Sequence, residues 1–249
     1  MSYFPRFHCP CNLAPSMILS LPAGTARHVQ VRRLQPNDVI TLFNGEGGEY
    51  TARIQHMGRS DVQVQVETKS EVDRELPFHV SLWSGMIANE RMDWLLEKAT
   101  ELGAAKVLPI MAERSVLKLK GERADKKLAH WQAIAVAASE QCGRNRVLQV
   151  LPALSLSAAL MEATETAPLA HRWVLSLSKG AQSLQSAITS LSSLAPKAVI
   201  LLSGPEGGLS PEEEARALAA GFKPVSLGTR VLRAETAPVA VLSALGALG

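Results

Sequence analysis

Two glycine-containing stretches near the end of the chain hold the residues best suited to chemistry. The first runs Ser203-Gly204-Pro205-Glu206-Gly207-Gly208 and passes into Ser210-Pro211-Glu212-Glu213. The second runs Leu227-Gly228-Thr229-Arg230-Val231-Leu232-Arg233-Ala234-Glu235-Thr236-Ala237. Glycine has no Cβ, so loops of this kind turn sharply and bring bare backbone close to a ligand. Arginines at 230 and 233 add permanent positive charge, which stabilises an anion formed during a reaction. Neither stretch is a nucleotide fingerprint: there is no G-x-G-x-x-G, and Gly-Pro-Glu-Gly-Gly lacks the Gly-Lys-Ser/Thr of a P-loop.

The elements around these loops are well signed. The apolar run Val199-Ile200-Leu201-Leu202 reads as a strand entering the first loop. Ser210 is a good N-cap for the helix that follows, Pro211 suits its first position, Glu213 completes a capping box and Gly221 ends it. A strand at Pro224 to Leu227 then feeds the second loop. Ligands of open α/β sheets bind beyond the carboxyl ends of strands, so two such loops about twenty residues apart predict one shared pocket. Further apolar runs at Val80 to Trp83, Val107 to Met111, Val147 to Leu151 and Trp173 to Leu177 alternate with helical stretches. That alternation predicts a mostly parallel sheet covered by helices. In the first of these helices Met92, Leu95, Leu96, Ala99 and Leu102 form one apolar stripe, which Gly103 stops.

The paired motifs Gly204-Pro205-Glu206-Gly207-Gly208-Leu209-Ser210 and L-G-x-R-V-L-R-x-E-T-A resemble those of RNA-uridine methyltransferases of the knotted SPOUT class. The resemblance is to the enzymes that methylate the imide nitrogen of a uridine in small-subunit ribosomal RNA. It extends to Lys98-Ala99-Thr100-Glu101-Leu102-Gly103 and Ser139-Glu140-Gln141-Cys142-Gly143-Arg144, and so over nearly the whole chain. One departure is Leu177-Ser178-Lys179-Gly180, where the family often has Leu-x-Pro.

The resemblance implies an α/β protein: a small N-terminal PUA-like β-barrel and a C-terminal SPOUT domain with a trefoil knot. It implies S-adenosyl-L-methionine as cofactor, 16S ribosomal RNA as substrate at uridine position 3, and a homodimer. The cofactor residues it implies are Leu177, Leu202, Ser203, Gly204, Glu206, Gly207, Gly208, Leu227, Gly228, Val231 and Leu232. Glu206 has two readings, fixing the loop or facing the sulfonium. A neutral imide nitrogen is a poor nucleophile, so a guanidinium that favours its anion is the catalytic requirement. Arg233 is the first choice for that role and Arg230 the alternative.

Composition bounds the rest. The chain has 249 residues, of which 47% are hydrophobic and 20% charged, so it can bury a substantial core and is not a disordered chain. A net charge of +3 excludes a general polycation, so any nucleic-acid surface must come from local clustering. The first ten residues have no apolar core of signal-peptide length, and no later run is long enough to span a bilayer, which predicts a cytoplasmic protein. Cys9, Cys11 and Cys142 give no paired framework, and Cys9-Pro10-Cys11 lacks a second half with zinc spacing, so no metal is expected. His79, His130 and His171 have no partner spacing suited to a general base.

Before residue 72 the pattern is of short strands joined by glycine turns, and a polar stretch from Lys69 to Pro77 marks a boundary. The domains are accordingly read as 1–72 and 73–249. Arg27, Arg32 and Arg33 crowd one short helix at Ala23 to Leu34, and a solvated face or a phosphate grip both account for them. With the resemblance, Arg6, Arg27, Arg32, Arg33, Lys118, Lys120 and Arg144 become the expected RNA-binding residues. Thr236 to Leu248 reads as a helix apolar almost all round, which its own domain or a dimer partner must cover. Three other readings stand beside this one: a non-catalytic RNA-binding protein, a SPOUT enzyme acting on a different RNA nucleotide, and a small-molecule or phosphate-binding enzyme using the Gly204 loop.

Overall fold

The computed structural model describes residues 4–115, 119, 121–191 and 198–248. The expected RNA-binding residues Lys118 and Lys120 lie outside the described residues. The chain divides into two compact units, Met1–Glu75 with Val136–Val147, and Leu76–Ala135 with Leu148–Gly249. A single boundary between 72 and 73 had no place for the segment Val136–Val147.

The first unit contains β1 (Arg6–His8), β2 (Ile18–Ser20), α1 (Ala23–Val31), β3 (Val39–Phe43), β4 (Glu49–Met57) and β5 (Val62–Ser70). Its strands form one sheet in the order β1-β3-β4-β5-β2, parallel only between β1 and β3. Alternation of apolar and polar residues decides the faces. In β5, Val62, Val64 and Val66 are buried while Gln63 and Glu67 point out, as the two-residue period of a half-buried strand requires. These valines pack with Phe7, Ile40, Leu42, Tyr50, Ile54 and the α1 residues Ala26 and Val29 in one core.

The second unit is built from β6 (His79–Gly85), α2 (Asn89–Glu101), β7 (Lys106–Met111), α3 (Glu122–Cys142), β8 (Gln149–Val150), β9 (Leu154–Ser155), α4 (Leu156–Thr166), β10 (His171–Leu175), β11 (Gln182–Ser183), α5 (Leu184–Thr189), β12 (Ala198–Ser203), α6 (Pro211–Ala219), β13 (Lys223–Ser226) and α7 (Thr236–Gly246). The C-terminal end of α3 belongs to the first unit. The strands form an eight-stranded sheet in the order β11-β13-β10-β12-β6-β7-β8, with β9 paired to β7, and every ladder is parallel. Val199, Leu201 and Leu202 of β12 are buried, in keeping with a central parallel strand covered on both faces.

Local signals read from sequence reappear as geometry. Ser210 caps α6 through its side chain, and Glu213 reaches back to the Ser210 backbone to close the capping box. Gly103 and Gly221, at φ of 87° each, follow α2 and α6 in the left-handed conformation that ends a helix. The terminal helix is covered by its own domain. Val241, Leu242 and Leu245 are fully buried within the chain, where α7 packs on α2 and β12. Leu242 and Leu245 are therefore core residues of their own domain, so substituting them reads folding before it reads any dimer.

Candidate functional site

A cavity of about 390 Å³ opens in the second unit, beyond the carboxyl ends of β10, β12 and β13. The parallel register fixes this convergence, since Leu202 of β12 stands beside Val174 of β10, and Val174 beside Pro224 of β13. The loops leaving the three strands thus meet at one edge, as expected for an open parallel sheet. Of the residues expected to hold cofactor, Leu177, Ser203, Gly204, Glu206, Gly207, Gly208, Leu227, Val231 and Leu232 line the cavity. Leu202 and Gly228 are not on its lining: the Leu202 side chain is in the sheet core, and Gly228 supplies a turn at φ of 102°.

The first loop is held from several sides. Ala88 N–H donates to Glu206 Oε1 at 2.9 Å, and Arg91 Nη1 stands 3.4 Å from the same oxygen. These contacts tie Glu206 to the start of α2. Arg91 also lies 3.9 Å from Glu235 Oε1, so one guanidinium stands between carboxylates of the two motifs. Glu235 is buried, and among the described residues its Oε2 has no hydrogen-bond partner. Arg114 Nη1 donates to the Gly207 carbonyl at 3.0 Å and itself lines the cavity. A Cβ on Gly204 would come within 2.8 Å of the Leu209 nitrogen, so glycine there is required by the loop's own backbone.

The opposite wall has its own support. Ser176 Oγ donates to Glu214 Oε1 at 2.5 Å and accepts the Ser178 N–H at 3.0 Å. Ser176 therefore shapes the turn after β10. Leu177 and Val231, 70% and 77% exposed, present large apolar side chains to the cavity. Exposed apolar groups beside a concave site are what a planar aromatic ligand covers. Glu214 and Glu206 bring carboxylates, and Arg114 and Arg230 guanidiniums, to the same cavity, which suits a ligand bearing charges of both signs.

Of the two arginines, Arg230 lines the cavity and Arg233 does not. Both are exposed. The Arg233 carbonyl accepts the N–H groups of Thr236 and Ala237, at 3.0 and 3.1 Å, and so caps α7. Arg91, Arg114, Ser176 and Glu214 were missed in the sequence. The signals available were position alone: Glu214 sits in the first turn of α6, and Arg114 just beyond the end of β7.

A model of the RNA methyltransferase domain matches residues 74–246, and a model of the RNA methyltransferase PUA domain matches residues 21–67. The chain is 35% identical to ribosomal RNA small subunit methyltransferase E of Bacillus subtilis over 219 residues, 87% of this chain and 84% of the relative. The chain belongs to the ribosomal RNA small subunit methyltransferase E family. The Synechocystis member is 33% identical and aligns over 95% of this chain and 76% of its own length. Among solved structures, family member E from Neisseria gonorrhoeae bound to S-adenosyl methionine has a TM-score of 0.88 at 34% identity, covering 99% of this chain and 98% of that one. A methyltransferase of Legionella pneumophila with bound S-adenosyl methionine has a TM-score of 0.90 at 34% identity, covering 100% and 99%.

In the first unit the family's expected RNA-binding arginines separate into two groups. Arg27, Arg32 and Arg33 are exposed at α1 and its end. Arg6 and Arg144 must be withdrawn, because both guanidiniums are spent internally. Arg6 is 7% exposed at its side chain and donates to Glu49 at 2.6 Å and to Asn145 Oδ1 at 2.6 Å. Arg144 is 4% exposed and pairs with Glu75. Arg74 also reaches Glu49, at 2.9 Å. Burial opposes ionisation of Glu49, but hydrogen bonds and charge from Arg74 and Arg6 outweigh it and hold its carboxyl below the usual range.

Proposed function

We propose that this chain transfers a methyl group from S-adenosyl-L-methionine to position 3 of a uridine in 16S ribosomal RNA. The observation that carries the reading is the cavity at the β10, β12 and β13 ends, lined by the glycine backbone of one motif and the apolar residues of the other. Its donor set fits the cofactor: Leu177 and Val231 for the adenine, loop backbone for its polar edges, and Glu206 and Glu214 for positive charge. When bound, the cofactor supplies an electrophilic methyl group on a sulfonium, so neither metal nor covalent nucleophile is needed. The chain's own task is to orient the uridine in line and to favour its imide anion. An arginine of the second motif serves that end, Arg233 or Arg230, and Arg230's place on the cavity wall favours it.

The knotted SPOUT topology and a two-fold homodimer belong to the same reading. The sheet order, with β13 inserted between β11 and β10, and the likeness to the cofactor-bound relatives support the first. Half-buried Val239, Ala240 and Ala244 on α7 leave small residues for close helix approach in the second. RNA is gripped by Arg27, Arg32 and Arg33, in the small subunit or its free RNA. Among the described residues no helix is long and apolar enough to cross a membrane, and the reading assigns the protein to the cytoplasm.

The test is methyl transfer from labelled S-adenosyl-L-methionine to small-subunit RNA taken from cells lacking the protein. Label at uridine N3 of a single 16S position is expected. Label on another atom would assign a different nucleotide, and no label with intact cofactor binding would leave a binding protein.

A further inference from the structure

A second cavity in the same unit, of about 220 Å³, is lined by Asn89, Leu119, Arg123, Lys126 and Lys127. Three of its five lining residues are cations, and among the described residues none is a carboxylate. The counter-charges stand outside it. Lys126 pairs with Glu122 at 2.7 Å, but at 75% and 82% exposure that pair is worth little and yields to a better anion. Lys127 is fixed instead: its Nζ is 3.3 Å from Asp93 and 5.4 Å from the centre of the Trp131 ring. Asp93 also accepts the Trp131 indole N–H at 3.1 Å and contacts His130 Nε2 at 2.8 Å, which holds α3 against α2. Arg123 is exposed and makes no ion pair among the described residues. A lysine held by Asp93, an exposed lysine, an exposed guanidinium with no ion pair among the described residues and an amide thus line a space wide enough for a hydrated anion, since one water takes about 30 Å³.

Its place in the fold says which anion. Asn89 follows Ala88, whose N–H is held by Glu206 of the larger cavity, and Arg91 contacts that same carboxylate. The basic cavity therefore shares the start of α2 with the contacts that hold Glu206, a wall residue of the methyl-transfer site. We propose that Asn89, Arg123, Lys126 and Lys127 form a seat for a backbone phosphate of the RNA substrate, close to the nucleotide being modified. The seat rests on the methyltransferase reading and deepens it. Phosphate contacts position a nucleic acid without reading its sequence, so this seat sets the register of the strand.

The experiment measures binding of a single-stranded, uridine-containing RNA oligonucleotide to the full chain across a series of potassium chloride concentrations. Wild type is compared with Arg123→Ala, Lys126→Ala and the double variant, and the affinity for S-adenosyl-L-methionine is measured in each to confirm an intact fold. The salt slope of the logarithm of affinity should fall by about 0.7 for each contact removed. In turnover, KM for RNA should rise while kcat holds, and Arg123→Lys should recover part of the loss. If wild type binds RNA and the double variant keeps both affinity and slope, the seat is refuted while the methyltransferase reading stands. If wild type binds no RNA oligonucleotide, the seat is refuted, and methyl transfer to small-subunit RNA still decides the methyltransferase reading. Inorganic phosphate that binds wild type but not the double variant, with RNA binding unchanged between them, would make this a site for free phosphate and overturn the proposal.

Discussion

Glu213 accepts the backbone N–H of Glu113 at 2.9 Å on one carboxylate oxygen and that of Ser210 at 3.0 Å on the other. A single buried side chain thus caps α6 and ties it to the loop after β7. Glu213→Ala leaves the buried Ser210 N–H and the part-buried Glu113 N–H without this partner, and the buried one alone costs about 1–3 kcal/mol. A clearly lowered melting temperature is expected, and a melting curve superimposable on wild type would show that the tie is dispensable.

Arg91 stands between Glu206 and Glu235, so it steadies both motifs without lining the cavity. Arg91→Ala should weaken S-adenosyl-L-methionine binding by about tenfold, equivalent to about 1.4 kcal/mol. Titration calorimetry checks this, and an unchanged dissociation constant would mean the loops hold their shape without it.

Arg230→Ala and Arg233→Ala should part company. Whichever arginine favours the imide anion loses on the order of 10²-fold or more in single-turnover rate with cofactor binding retained. The place of Arg230 on the cavity wall predicts the larger loss there. Equal, small losses in both variants would remove arginine from the chemical step.

Leu177→Ser and Val231→Ser should each weaken cofactor binding severalfold without lowering the melting temperature, because the side chains are exposed in the free protein. A drop in stability with unchanged binding would contradict their assignment to the adenine.

Glu49 links stability to pH. Its folded-state pKa lies below the ordinary value of 4.5, so its contribution is present above that value and is lost as pH falls through the lowered one. Urea unfolding followed between pH 6 and pH 3 should show stability falling toward acid, and Glu49→Gln should flatten that fall. A fall of the same steepness in the variant would assign it to other carboxylates.

The parts legible in sequence were those written locally. Ser210 and Glu213 announce a helix start because a capping box needs only the third residue after the cap, and Gly103 and Gly221 announce helix ends by backbone geometry alone. The shared pocket of the two loops was legible for the same reason, since both loops follow strand ends that apolar runs reveal, whereas its nine expected lining residues were named from the family resemblance. What stayed hidden was set by distant partners. Nothing near Arg6 marks it as buried, since its acceptors are Glu49 and Asn145, 43 and 139 residues away. Arg144 likewise spends its charge on Glu75, 69 residues back. An arginine's neighbours in sequence say that it is charged, and only the fold says what neutralises it.

The segment Val136–Val147, grouped with the first unit, has a consequence for synthesis on the ribosome. The N–H of His8 awaits Glu140, and the guanidinium of Arg6 awaits the carbonyl of Gly143 and the amide of Asn145. Those groups emerge only after β6, α2 and β7 have been made. The N-terminal unit therefore cannot reach its final stability as an early nascent fragment, although N-terminal domains commonly fold first during synthesis. Its completion waits on the middle of the chain, so a fragment cut after Glu75 should be less stable than the same unit in the full chain.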